Sequence, residues 1–270
     1  MSYISQRIVK SKKYYYLEES FEYNKKLIKE SVYFGSISPS NDELFLGYEI
    51  LKRTCLARNH TVIVPPLTEF IRNRTAKLLK NAKNNYSEKI NKLNKTQLLK
   101  LKETKINNLV QLYALDKTTP VLEKNLSNLF EYYNEGILKK ESLTEIKIRK
   151  LHSLLTANNE NKNEEYDSNT MHLFLTWYKE KTDLIHEVEF AAKFCAKFYN
   201  LKLFQTHNFV LAIILMNYIL EQKQFPFVML FKKRVEIFKK VLEEGKKENF
   251  KPITTFLIKE VIKQSKIKIE

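Results

Sequence analysis

The chain has 270 residues, 43% of them hydrophobic and 12% aromatic, enough to bury the core of one large domain or a domain with an appendage. Only 4 glycines and 6 prolines are present, which argues against loop-rich and all-β organisations and favours helices. The formal charge is +16, but 40 of the 47 basic residues are lysines spread over the whole chain, a compositional bias and not a binding stripe. Dedicated nucleic-acid binders cluster their charge and use arginine for phosphate geometry.

From the N-terminus, MSYISQRIVKSKK contains no apolar stretch of the kind a secretory signal needs. Residues 13–35 are rich in Tyr, Phe, Val and Ile around a polar break at Asn24–Lys26. They predict a β-hairpin pairing Tyr14–Glu22 with Leu27–Phe34. After the loop Ser36–Pro39, Asn41 or Asp42 can cap a helix running to about Arg58. Pro65–Pro66 is a second break, and Leu67–Leu115 reads as charged helix split near Asn81–Tyr86. These helices form an arm over residues 41–104, beside a core that occupies 105–270, with the hairpin segment taking 1–40.

Beyond Pro120 the rhythm is of helices separated by short polar turns: Leu122–Tyr133, Leu143–Leu155, Met171–Thr182, His186–Tyr199, His207–Gln222, Lys232–Gly245 and Pro252–Lys266. Thr156–Thr170 is an acidic, Asn-rich solvated loop with almost no strand-forming residues. The apolar run Phe209–Leu220 is too short to span a bilayer and reads as a buried core helix. Cys55 and Cys195 lie far apart with no CxxC spacing, so neither a zinc site nor a disulfide framework is expected, and both read as small buried apolar residues. A cytoplasmic protein with no membrane segment is the expectation, and no tandem repeat of fixed period is present.

Three segments in order, IRKLHSLL (148–155), IHEVEFAAKF (185–194) and LMNYILEQKQFPFV (215–228), resemble the Fic (Fido) domain series. In that family a helix ending in LHxxL precedes a flap, and then a helix–loop–helix carries the chemistry. His186, Ala191, Ala192 and Phe198 fall on the first helix of the pattern, and Leu215, Met216, Asn217, Leu220 and Pro226 on the second. Arg234, Phe238, Leu242 and PITTFL (252–257) resemble the closing helices, and YYYLEESF followed by YFG resembles the N-terminal hairpin of some archaeal Fic proteins. The resemblance covers roughly residues 105–260 plus the hairpin. It implies a mainly α, Fic-like helical bundle core with an N-terminal β-hairpin and a helical arm. Ala191 and Ala192 also fit simple close helix packing, and Asn217 a helix residue satisfied by backbone.

In the family, a loop HPFxxGNGR supplies a His base, a Mg²⁺-holding acid, a glycine cradle for phosphates at a helix N-terminus, and arginines that pair with phosphate. Counting back without gaps from Leu215–Asn217 lays KLFQTHNFV (202–210) over this loop. Lys202 then stands at the base, Leu203 at the Pro and Thr206 at the acid. His207 and Phe209 stand at the two glycines, and Val210 and Ile213 at the arginines. Only Phe204, a packing residue, and Asn208 match. No glycine occurs between Gly136 and Gly245 and no arginine between Arg149 and Arg234, whatever the alignment. Upstream, Asp116 and Pro120 lie where the family carries an autoinhibitory motif, with Pro120 in place of its Glu.

These losses imply a non-catalytic Fic-like protein acting through a protein partner or self-association, with no cofactor and no metal expected. Two alternatives stay open. One is a divergent transferase in which Lys202, His207 and Asn208 bind ATP with Mg²⁺, His207 serving as a displaced base. The other is a basic helical nucleic-acid binder using the arm Arg72–Lys105. The plainer readings are His207 as a helix cap or surface residue and Lys202 as an exposed lysine.

Overall fold

The computed structural model describes residues 3–39, 41–58, 60, 70–71, 73–115, 123–156, 166–182 and 185–266. The break at Pro65–Pro66, and Asp116 and Pro120, lie outside these residues, as does most of the loop after Thr156. The chain packs as two units, Met1–Glu69 and Phe70–Glu270.

In the first unit, β1 (Tyr3–Val9), β2 (Lys12–Tyr23) and β3 (Lys26–Gly35) form an antiparallel meander in the order β1-β2-β3. The expected hairpin is present as β2 and β3, and β1 is an addition to it. Both connections are two-residue turns with left-handed backbone, Lys10–Ser11 (φ 48 and 64) and Asn24–Lys25 (φ 50 and 59). Such turns twist the way paired strands twist. Because no Gly marks the first one, Lys10–Ser11 gives no local sign that a strand precedes it. One face of the sheet and α1 (Asn41–Leu56) share a core of Leu17, Phe21, Tyr48, Leu51 and Cys55. Gly47 permits this approach, since a Cβ there would meet the Phe34 ring at 2.5 Å.

The second unit holds α2 (Asn73–Lys92), α3 (Lys95–Leu115), α4 (Glu123–Leu138), α5 (Glu145–Thr156), α6 (Ser168–Lys181), α7 (Glu187–Leu201), α8 (Asn208–Gln222), α9 (Lys232–Glu244) and α10 (Lys251–Gln264). The break between α2 and α3 falls at Leu93–Asn94 and not at Asn81–Tyr86. The reason is a capping box: Asn94 Oδ1 accepts from Gln97 N at 2.9 Å, and Gln97 Oε1 accepts from Asn94 N at 3.2 Å. The polar stretch stays helical because Ala82 is buried and anchors it. Both helices pack within this unit, α2 against α10, and α3 against α4, α8 and α9. The span 41–104 is thus shared between the units, α1 falling with the sheet.

Helix α8 lies at the centre, touching α3, α4, α5 and α7. Every residue from Phe209 to Leu220 is buried, which is why the run is apolar on all faces and not on one stripe. Among the described residues no helix is long and apolar enough to cross a membrane. Its C-terminus closes in a Schellman turn, with Phe225 N donating to Leu220 O at 2.9 Å and Gln224 N to Glu221 O at 2.9 Å. Gln224 takes the left-handed position (φ 65) usually given to Gly.

The extended segment that follows threads back between helices, where no strand pairs with it. Its peptide groups are satisfied by two buried asparagines. Asn217 of α8 receives Val228 N on Oδ1 at 2.7 Å and donates Nδ2 to Val228 O at 3.2 Å. Asn108 of α3 does the same for Leu230, at 3.2 and 2.9 Å. Leaving buried peptide groups unpaired costs roughly 1–3 kcal/mol. Asn217→Ala is therefore expected to lower unfolding stability by about 2–3 kcal/mol. Urea denaturation monitored by far-ultraviolet circular dichroism checks this, and a loss below about 0.5 kcal/mol would contradict the double hydrogen bond.

Candidate functional site

The loop between α7 and α8 begins where Lys202 takes a left-handed conformation (φ 50) and ends α7. The next residues turn inward: Leu203 and Phe204 are buried, whereas Lys202, Gln205 and Thr206 are exposed. Phe204 is gripped from several sides. His152 of α5 stacks on its ring at 4.0 Å with planes 16° apart, Tyr166 stacks at 6.0 Å, and Phe198 lies at 6.5 Å. Its backbone forms a bridge with Tyr166, the first described residue after the acidic loop.

Asn208, the first residue of α8, closes the loop on itself. Its Oδ1 accepts from Phe204 N at 3.1 Å and its Nδ2 donates to Phe204 O at 2.5 Å. This side chain fastens both peptide groups of Phe204 within the loop. The helix N-terminus therefore stands on a locally tied loop.

His207 occupies the cap position of α8 with left-handed backbone (φ 62) but makes no side-chain cap hydrogen bond. It is also not a surface residue, being 5% exposed. Its Nδ1 lies 2.6 Å from Thr206 Oγ1, and its ring sits edge-on to His152 at 6.1 Å. His152 Nε2 lies 3.1 Å from the carbonyl of Thr206; a carbonyl only accepts, so His152 carries its proton on Nε2. Both readings of His207 drawn from the sequence thus need correction: it is neither a cap by side chain nor exposed.

The positive φ at His207 is informative. The resemblance places the first glycine of a phosphate cradle at this residue. The backbone takes the conformation glycine favours, at a cost of order 1 kcal/mol for a residue with a Cβ. The space a glycine would leave is filled by an imidazole. At Phe209, the second glycine position, the backbone is ordinary helix and the ring is buried, 5.9 Å from Tyr199 and 6.4 Å from Phe238.

Val210 and Ile213, at the arginine positions, are fully buried inside α8's packing. Lys202 points to solvent from the end of α7 and Thr206 is exposed, so the structure brings together Phe204, Thr206, His207 and Asn208 but not Lys202. Sequence reasoning missed His152 and Tyr166 as members of the site. His152 belongs to the quoted LHSLL motif, where its spacing signals a helix face but not its stacking partner. Tyr166 leads out to a cation, with the Arg149 guanidinium 4.8 Å over its ring and its hydroxyl bonded to Glu145. The hydrogen bond to Glu145, with burial adding to it, holds the Tyr166 phenol above its ordinary pKa, while the Arg149 charge opposes the shift. Among the described residues no group of three or more His, Cys, Asp or Glu side chains could hold a metal ion. Cys195 is buried in α7 and desolvation pushes its thiol up, which makes it inert packing.

No protein-family model and no curated protein matches the sequence. Solved structures do match in three dimensions. A Fic-domain-containing signalling protein from Bacteroides thetaiotaomicron superimposes with a TM-score of 0.53 at 16% identity, covering 70% of this chain and 94% of that one. Fic-1 from C. elegans (residues 134–508) gives 0.57 at 16% identity, covering 84% and 77%. A Fic family protein from Desulfovibrio desulfuricans gives 0.52 at 16% identity, covering 75% of each chain. The chain has the Fic fold: a mainly α core carrying a small N-terminal antiparallel sheet.

His186 caps the N-terminus of α7, its Nδ1 accepting from Val188 N at 3.2 Å. An acceptor Nδ1 must be unprotonated. Burial lowers the His186 pKa below its ordinary 6.5, with Lys83 adding to this and Glu187 and Glu189 opposing it. Since the folded state resists protonation, stability is full above pH 6.5 and declines as pH falls through that unfolded-state value. The decline levels off below the lowered folded value. Thermal unfolding of the protein and of His186→Asn, which retains a capping side chain, is expected to show a smaller acid-side drop in melting temperature in the variant. Parallel profiles would assign the drop to other groups.

Proposed function

We propose that this Fic-fold protein does not transfer AMP and works by binding a protein partner, whether an active Fic enzyme, another protein or a second copy. The observation that carries the reading is the packing of the α7–α8 loop. Phosphoryl chemistry needs preorganised charge where negative charge develops, and each lost donor costs roughly 3–4 kcal/mol of transition-state stabilisation. At the positions where the resemblance places the arginines, Val210 and Ile213 are in the core, and at the first glycine the His207 ring fills the cradle. The base position holds Lys202, which is exposed and outside the packed cluster. A His207 imidazole 5% exposed and packed edge-on to His152 is poorly placed to take a proton from a target hydroxyl.

A binding role is supported by apolar side chains left in solvent on the first unit. Leu27 and Ile37 are each 81% exposed, and Tyr33 is 56% exposed beside Tyr14 and Tyr16 on one sheet face. The partly exposed aromatic patch of Tyr14, Tyr16 and Tyr33 is of the kind found on interaction surfaces.

Incubation of the protein with labelled ATP and Mg²⁺ or Mn²⁺, alone and with cell extract, is expected to transfer no label to any protein. Transfer that is lost in His207→Ala would overturn the proposal and favour a divergent transferase.

A further inference from the structure

About 20 Å along α8 from the loop, at the helix's other end, the second unit contains a cavity of about 560 Å³. It opens between α2, α3 and α4, and the C-terminus of α8 forms its floor. Ile90, Leu98, Leu101 and Ile137 give it apolar walls. At the mouth, Leu98, Leu99 and Leu138 are 44%, 52% and 84% exposed, a cluster of large aliphatic side chains in water with no polar cover.

The floor is polar and built. Glu221 is a largely buried carboxylate, 11% exposed, that receives Lys105 Nζ at 2.5 Å and Tyr86 Oη at 3.3 Å on Oε1, and Tyr133 Oη at 2.8 Å on Oε2. Burial and the Glu221 charge drive the Tyr86 and Tyr133 phenols well above their ordinary values, so both stay protonated donors. The carboxylate receives three donors. The Lys105 side chain is 10% exposed, and among the described residues Glu221 is its acceptor while the Phe227 ring lies 5.2 Å away. An ammonium has three N–H groups, so the bond to Glu221 leaves Lys105, which lines the cavity, with donor capacity to spare. Two further lysines, Lys95 and Lys102, line the cavity, against the single Glu221. Lys102 is held loosely, 3.4 Å from Glu131.

A volume in the range of small-molecule sites, aliphatic walls, a nearly buried lysine with donor capacity left and a net positive lining define one ligand chemistry. We propose that this cavity binds a single-chain amphiphile with an anionic head, a fatty-acid-like carboxylate. The carboxylate accepts from Lys105 at the floor, and the hydrocarbon chain runs out along Leu98 and Leu138. A neutral head would forgo the charge-assisted hydrogen bond, and a cationic head would meet three lysines. The cavity is remote from the α7–α8 loop, so its occupancy is independent of whether that loop is catalytic.

The test is isothermal titration of the full-length protein with decanoate, decanol and decylamine at neutral pH, below micelle formation. Saturable binding of decanoate at one site, at least ten-fold weaker for decanol and absent for decylamine, is expected. Lys105→Met, which keeps the aliphatic stem, should weaken decanoate at least ten-fold. Leu98→Glu, at a position already exposed and safe for folding, should do the same by placing a carboxylate in the wall. No saturable decanoate binding, equal binding of the three probes, or undiminished binding to Leu98→Glu would overturn the proposal.

Discussion

A helix buried on every face leaves little water for the polar groups in and around it, so these must find partners within the protein. Helix α8 imposes that constraint on the whole second unit. At its N-terminus Asn208 ties the loop through both peptide groups of Phe204. Within it, Asn217 reaches sideways to the peptide groups of Val228. At its C-terminus Glu221 draws in Lys105, Tyr86 and Tyr133 from three other helices. Each fully buried aliphatic or aromatic residue along the run contributes on the order of 2 kcal/mol. These few polar contacts keep that gain from being offset.

The same constraint separates two sites that share the helix. The N-terminal end is packed: His207 holds a left-handed backbone with its imidazole buried, and the Phe204 ring is stacked on His152 and Tyr166. The C-terminal end is open, with a charged pair under a greasy mouth. Packing depends on apolar volume whereas phosphate transfer depends on glycines, arginines and an accessible base, so the two ends of one buried helix can differ in what they hold.

Parts of this were legible in the residues. Phe209–Leu220 announced a buried helix by being apolar all round, and the ordered matches around Ala191–Ala192 and Leu215–Asn217 pointed to the Fic fold. The absence of Gly across residues 137–244 and of Arg across residues 150–233 could be counted without an alignment. Other parts were not. β1 was hidden because its turn, Lys10–Ser11, uses residues with little preference for positive φ. The α2–α3 break was placed at a polar patch because Ala82's burial is a tertiary fact, while the capping box at Asn94–Gln97 was a local signal left unread. His207 was read as a cap or surface residue because the ring it packs against, His152, comes from another helix far away in the chain.

The sequence by itself therefore determined the class of fold, the central helix and the absence of Gly and Arg around it, because these depend on composition and short-range periodicity. Only the tertiary structure decided where His207 and Asn217 spend their hydrogen bonds, that the loop is filled, and that Lys105 and Glu221 meet beneath an open cavity. Their partners lie up to 116 residues away, and a hydrogen bond over that separation exists only once packing has desolvated both groups and fixed their geometry.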